Sequence, residues 1–211
     1  VEETKKRGTQ FRRARIPRRY VGKTLADYEI DAGNKNAVEG VKYLVEHYKK
    51  TDAVPEKFER NGLYISGTPG VGKTLLTAIM AQMYLEKGCR VVFGDVPTLL
   101  NEMRGTFDGS AEKKLEELMG ELENCDVLFL DDLGTETATE WAVERLYLII
   151  NGRYQFNKPV IITSNYTLQE AAAKLNHPKG YEGVTGTRIA SRLKEMCSIV
   201  KITGEDKRAR R

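Results

Sequence analysis

The sequence predicts an α/β fold: a five-stranded, mostly parallel sheet between helices. Three observations predict it. Short β-type runs alternate with helical periods along most of the 211 residues. One run, Val127–Leu130, is continuously apolar, as in a strand buried on both faces. One strand–loop–helix unit carries Gly67-Thr68-Pro69-Gly70-Val71-Gly72-Lys73-Thr74, which fits the phosphate-loop pattern G-x-x-x-x-G-K-[ST].

The elements follow in order. Residues 1–20 are polar and basic, and Ile16-Pro17 breaks any helix, so they read as an arm with little structure of its own. Tyr20 to Asp31 carries scattered apolar residues (Val21, Leu25, Tyr28, Ile30) that pack on the domain. Asn36 to Lys50 is apolar at helical spacing, and Thr51 to Asn61 connects it to the strand Leu63–Ser66. Beyond the phosphate loop, Leu75 to Leu85 continues as a helix closed by Gly88. Arg90 to Gly94 is a strand. Val96 to Arg104 and Ala111 to Glu123 are helical periods separated by a break at Gly105–Ser110. Val127–Leu130 is a strand that runs straight into Asp131-Asp132. Ala138 to Phe156 is a long amphipathic helix, and Pro159 to Thr163 is the next strand. Thr167 to Leu175 is a short helix, followed by a polar loop over His177 to Gly186. Thr187 to Met196 is helical, and Ile199 to Ile202 is the last strand. We divide the chain into a basic arm and linker (1–35), a phosphate-loop domain (36–204) and a basic tail (205–211).

Composition narrows the function classes. Charge is nearly balanced, with 34 basic against 30 acidic residues, but the basic residues gather at both ends. That distribution suits a polyanion or an acidic partner, and equally a pair of solvated tails. Cys89, Cys125 and Cys197 are far apart and without metal spacing, so they read as reduced, buried thiols in a cytoplasmic protein. His47 and His177 are isolated, which argues against a metal role. No run is apolar enough for a membrane span or a signal peptide. The chain starts at Val1 rather than Met, which suggests a fragment.

The chemistry concentrates at strand ends. The loop glycines let successive N–H groups face an anion, and the following helix N-terminus favours phosphate. Gly67 to Leu75 is therefore the expected ATP-binding segment. Lys73 reaches the β- and γ-phosphates, and the Thr74 hydroxyl ligates Mg²⁺. Asp131 ends the strand expected beside the loop, where a carboxylate holds Mg²⁺. Asp132 follows it, placed to orient or deprotonate a water. Asn165, after the Val160–Thr163 strand, is placed to position that water or bond the γ-phosphate. Arg188 and Arg192 lie four apart on one helix face. Spacing alone favours a solvated face pairing with Glu195, and an arginine offered to a neighbouring site is the alternative.

Four stretches, in order, resemble the AAA+ ATPase domain of the DnaC/DnaI bacterial replicative helicase loaders. They are Gly67–Thr74, Val127 to Gly134, Ile161 to Asn165, and Arg188-Ile189-Ala190-Ser191-Arg192-Leu193. The resemblance covers about residue 11 to residue 204 and includes Arg15-Ile16-Pro17-Arg18-Arg19-Tyr20. It implies an AAA+ core without a C-terminal lid domain, and Lys73 and Thr74 as Walker A residues. Asp131 becomes the Walker B acid, and Asp132 stands where many AAA+ proteins have Glu, which suits a slow switch. Asn165 becomes sensor 1, and Arg192, with Arg188 close by, the finger completing the next subunit's site in a head-to-tail assembly. Val96 to Leu122 would face single-stranded DNA, with Arg104, Lys113 and Lys114 as phosphate contacts. The implied partner is the replicative DNA helicase, engaged through an N-terminal domain outside this chain. An IstB-type transposition helper acting on duplex DNA is the runner-up, and a small-molecule kinase comes third.

Overall fold

A computed structural model describes residues 13–49, 60–105, 111–176 and 183–210. The first twelve residues of the arm, most of the connector before the first strand, the break at 106–110, His177 and Arg211 lie outside the described residues. Five strands form the sheet: β1 (Gly62–Ser66), β2 (Val91–Asp95), β3 (Val127–Leu133), β4 (Val160–Ser164) and β5 (Cys197–Lys201). All pairings are parallel, in the order β2-β3-β4-β1-β5. Parallel neighbours require crossover helices, and these cover both faces.

One face carries α1 (Lys35–His47) and α2 (Lys73–Glu86), packed on Leu63, Ile65, Phe129 and Ile161. The other carries α3 (Val96–Arg104), α4 (Ala111–Asn124), α5 (Glu140–Gln155) and α7 (Thr185–Met196), packed on Tyr64, Leu128, Leu130 and Ile162. The short α6 (Leu168–Asn176) leans on α7, where Gly186 lets the two backbones approach: a Cβ there would meet the Ala172 carbonyl. Because successive side chains of a strand point to opposite faces, an all-apolar strand feeds both cores.

The expected strand and helix positions hold, with ends displaced by a few residues. The largest local difference is in β3. It continues through both acids to Leu133, with a register shift against β4 between Leu130 and Leu133. Asp132 sits inside that irregularity with φ 64°. The Asp131 carboxylate there meets the Thr163 hydroxyl and the Asp132 carboxylate meets Asn165, and Asp is among the few residues that accept a left-handed backbone readily.

The entry segment is more tightly held than its polarity suggests. Ala14, Ile16 and Tyr28 belong to the α1/α2 core. The Phe93 N–H donates to the Ala14 carbonyl at 2.8 Å, so the chain lines the β2 edge. Arg15 pairs with Glu102 (2.7 Å) and Glu121 (3.3 Å), tying α3 and α4 together. Buried Gln82 on α2 donates to the Tyr20 and Lys23 carbonyls and accepts from the Gly22 N–H. The three cysteines are buried and none forms a disulfide, as expected.

Candidate nucleotide site

The phosphate loop joins β1 to α2 at the C-terminal ends of the strands, where an open α/β sheet places its ligands. The Gly67 N–H donates to the Ser164 carbonyl, anchoring the loop to β4. Gly72 precedes the first residue of α2 at φ 97°, a conformation open to glycine at little cost. The Tyr28 ring lies 3.2 Å from where a Gly72 Cβ would stand, so a side chain here would also press on that ring.

Lys73 is 6% exposed. Its Nζ donates to the Gly67 carbonyl (2.7 Å), the Thr68 carbonyl (2.9 Å) and Asn165 Oδ1 (2.8 Å). Burial pushes the amine's pKa down, and the nearby Asp132 and Asp131 oppose that shift. Asn165 donates through Nδ2 to Asp132 Oδ1 at 3.2 Å, so one amide links the loop lysine to the second acid. The Thr163 hydroxyl donates to Asp131 Oδ1 at 2.6 Å and accepts the Asp132 N–H at 3.0 Å. Asp131 is buried, and desolvation raises its carboxyl pKa despite hydrogen bonds from Thr163 and Thr74. The result is a continuous polar chain from Lys73 through Asn165, Asp132 and Thr163 to Asp131, with Thr74 beside that last acid.

Sequence reasoning missed Thr163, which joins the two acids. Its signal was present: a hydroxyl where an apolar strand turns polar, two residues before Asn165. Glu136 was missed as well. It accepts the Gly134 N–H at 2.8 Å, bracing the turn after the acids, and burial raises its carboxyl pKa.

The two arginines lie on the sheet face opposite α2. Both stack on Tyr147 of α5, with guanidinium carbons 4.6 and 4.9 Å from the ring centroid for Arg188 and Arg192. Both also donate to its hydroxyl, at 2.9 and 3.1 Å. Glu195, the partner expected on spacing, instead accepts the Tyr154 hydroxyl at 2.7 Å. Among the described residues neither arginine pairs with a carboxylate. Arg104 lies 5.2 Å over the Trp141 ring and donates to Thr139, while Lys113 and Lys114 are exposed on α4.

These residues fit a magnesium–nucleotide complex by their chemistry. Thr74 and Asp131 offer hard oxygens side by side, Lys73 offers a cation, and the loop opens onto a helix N-terminus. The fold and site define a P-loop ATPase with an AAA+ type core. The chain matches the family described as "IstB-like ATP binding protein" over residues 2–211, and it belongs to that family.

The replicative helicase loader DnaI of Bacillus subtilis is 24% identical over 99% of this chain and 65% of its own length. The uncharacterized Bacillus subtilis protein YqaM is 35% identical over 76% of this chain and 49% of its own length. The replicative helicase loader DnaC of Escherichia coli K12 is 25% identical over 76% of this chain and 62% of its own length. The chain thus spans about half to two-thirds of these relatives. Among solved structures, that of DnaI superposes with a TM-score of 0.74 at 27% identity, covering 90% of this chain and 95% of that one. The DnaC helicase loader structure superposes with a TM-score of 0.70 at 28% identity, covering 88% and 99%. No described helix is long and apolar enough to cross a membrane.

Proposed function

We propose that this chain is the ATPase domain of a replicative helicase loader, binding ATP and hydrolysing it slowly. The polar chain from Lys73 to Asp131 carries the reading, because it gathers a phosphate cation, a metal acid and a water-orienting acid into one network. Lys73 exchanges its loop carbonyls for the β- and γ-phosphates. Mg²⁺ held by Thr74 and Asp131 would neutralise developing charge on the transferring phosphoryl group. Asp132, oriented by Asn165, accepts a proton from the attacking water. Asn165 touches both Lys73 and Asp132, so the position of the lysine is coupled to that of the acid.

Arg188 and Arg192 support a site shared between subunits stacked head to tail. They form a compact cationic pair without a described carboxylate, on the face turned away from their own α2. Arg104, Lys113 and Lys114 are the DNA-contact candidates, single-stranded DNA the nucleic acid and the replicative helicase the partner. The relatives named as replicative helicase loaders support this reading. The family description favours a second reading, a transposition helper acting on duplex DNA. Both readings place the protein in the cytoplasm.

The test is ATPase rate against protein concentration, with single-stranded or duplex DNA, alongside Lys73→Ala. A rate per protomer that rises with concentration and with single-stranded DNA supports the loader. Stimulation by duplex alone supports the transposition helper. A rate that stays constant and ignores DNA refutes the shared site.

A further inference from the structure

The turn that follows β3 encloses a carboxyl that stability alone does not call for. Glu136 folds back onto its own turn, where Oε2 accepts the Gly134 N–H at 2.8 Å. Oε1 is buried and has no hydrogen-bond partner among the described residues. Burial raises the carboxyl's pKa, and neither the N–H groups of Glu136, Gly134 and Thr135 nor the Lys174 charge cancels that rise. Native structures rarely leave a buried polar atom orphaned, and such an atom calls for an explanation. A carboxyl kept here against its own desolvation points to a task beyond packing.

The rest of the turn is pinned residue by residue. Asp132 has φ 64°, and a left-handed residue other than glycine persists only where its surroundings over-determine it. Its N–H donates to the Thr163 hydroxyl at 3.0 Å. Its carbonyl accepts both the Thr135 N–H (3.3 Å) and the Thr135 hydroxyl (2.8 Å). The Leu133 carbonyl accepts the Ser164 hydroxyl at 2.6 Å. Gly134, at φ 92°, lies against Tyr166, whose ring would stand 3.0 Å from a Cβ there. The Gly134 N–H is the donor these contacts leave over, and Glu136 takes it. The clamp closes two residues beyond Asp132, whose carboxylate accepts from Asn165 at 3.2 Å.

We propose that Glu136 is a positioning residue for hydrolysis: by holding the Gly134 N–H it keeps Asp132 in the left-handed conformation that sets its carboxylate against Asn165. Glu136 touches neither the phosphate loop nor Asp131, so nucleotide and Mg²⁺ do not depend on it for their ligands. Its signature is therefore lost turnover with affinity retained. The proposal rests on Asp132 accepting the proton of the attacking water.

The experiment measures steady-state phosphate release and equilibrium binding of a fluorescent ATP analogue, both with Mg²⁺. It compares the full chain with Glu136→Met, Glu136→Gln, Asp132→Asn and the Asp132→Asn/Glu136→Met double variant. Glu136→Met keeps the length of the side chain and removes the acceptor. It should lower kcat about fivefold or more while KM and analogue affinity move less than about twofold. Glu136→Gln still accepts the Gly134 N–H and should keep kcat within about twofold of native. The double variant should be no slower than Asp132→Asn, since one residue acts through the other. Native kcat in Glu136→Met overturns the proposal, as does a Glu136→Gln protein as slow as Glu136→Met. Affinity lost in step with kcat, or additive effects in the double variant, overturns it too. Should a thermal melt show Glu136→Met unfolded, Glu136→Ala carries the same expectations. Asp132→Asn separates the levels. If it hydrolyses ATP at the native rate, the reading of Asp132 falls and takes the proposal with it. If it is slow while Glu136→Met is not, Asp132 stands and the Glu136 assignment alone fails.

Discussion

Replacing Thr163 with Val removes one hydroxyl and almost no volume, and it should move the pH dependence of the ATPase. That hydroxyl donates to buried Asp131 at 2.6 Å, a hydrogen bond to an ionised partner. Such a bond is worth about 1.5–3 kcal/mol net. It favours the charged carboxylate, so its loss adds to the upward shift that burial already imposes. At about 1.4 kcal/mol per pKa unit, the Asp131 pKa in the free protein rises by about one to two units. Protonated Asp131 cannot hold Mg²⁺. The acid limb of kcat/KM against pH should therefore move toward neutrality by that amount, with the basic limb in place. The same substitution orphans the Asp132 N–H, now bonded to Thr163, so kcat should also fall at the plateau. The assay is steady-state phosphate release from pH 5 to 9 in excess Mg²⁺, with a thermal melt to check folding. An unmoved acid limb in a folded Thr163→Val protein would refute the role given to this hydroxyl.

Other perturbations follow from the same geometry. Arg153 is fully buried and donates to the carbonyls of Leu122, Glu123, Cys125, Asp126 and Pro159, so Arg153→Met should cost about 3–5 kcal/mol in urea unfolding. Asp131→Asn should leave thermal stability at neutral pH equal or higher, because the raised native pKa means the charged form opposes folding, while Mg²⁺-dependent hydrolysis is lost. A melting temperature several degrees below the native value would contradict that sign. Gly186→Ala should lower stability by about 1–3 kcal/mol, since a Cβ there meets α6 backbone, and denaturant melts of the pair of proteins would register it. Arg192→Ala should reduce the ATPase rate at high protein concentration and leave nucleotide affinity at low concentration unchanged, as followed by titration with a fluorescent ATP analogue.

The sequence by itself determined the fold class, the phosphate loop and most of the catalytic candidates. These are local signals. Strand, glycine loop and helix occupy one continuous stretch, and the acids follow directly on a run of four apolar residues, Val127–Leu130. The helical and strand periods placed the remaining elements because an all-apolar strand or a 3.6-residue stripe reflects burial, and burial is what the tertiary structure imposes. Element ends were less legible. β3 runs through Asp132 because a backbone irregularity accommodates the acid, and nothing in the residue pattern announces a bulge.

What only the tertiary structure decided are the meetings between residues far apart in the chain. Thr163 joins Asp131 to Asp132 because β4 lies beside β3, and Asn165 reaches Lys73 because β4 also lies beside β1. Strand order is not written in any one strand. Arg15 and Lys207 counted in the sequence as members of two basic ends, yet each is committed to carboxylates of its own chain. The Tyr28 hydroxyl, buried and unpartnered among the described residues, is likewise invisible until the chain packs around it. A sequence shows which groups carry charge and hydrogen-bonding capacity. Which of those groups are satisfied depends on distances in space, and only the packed chain sets them.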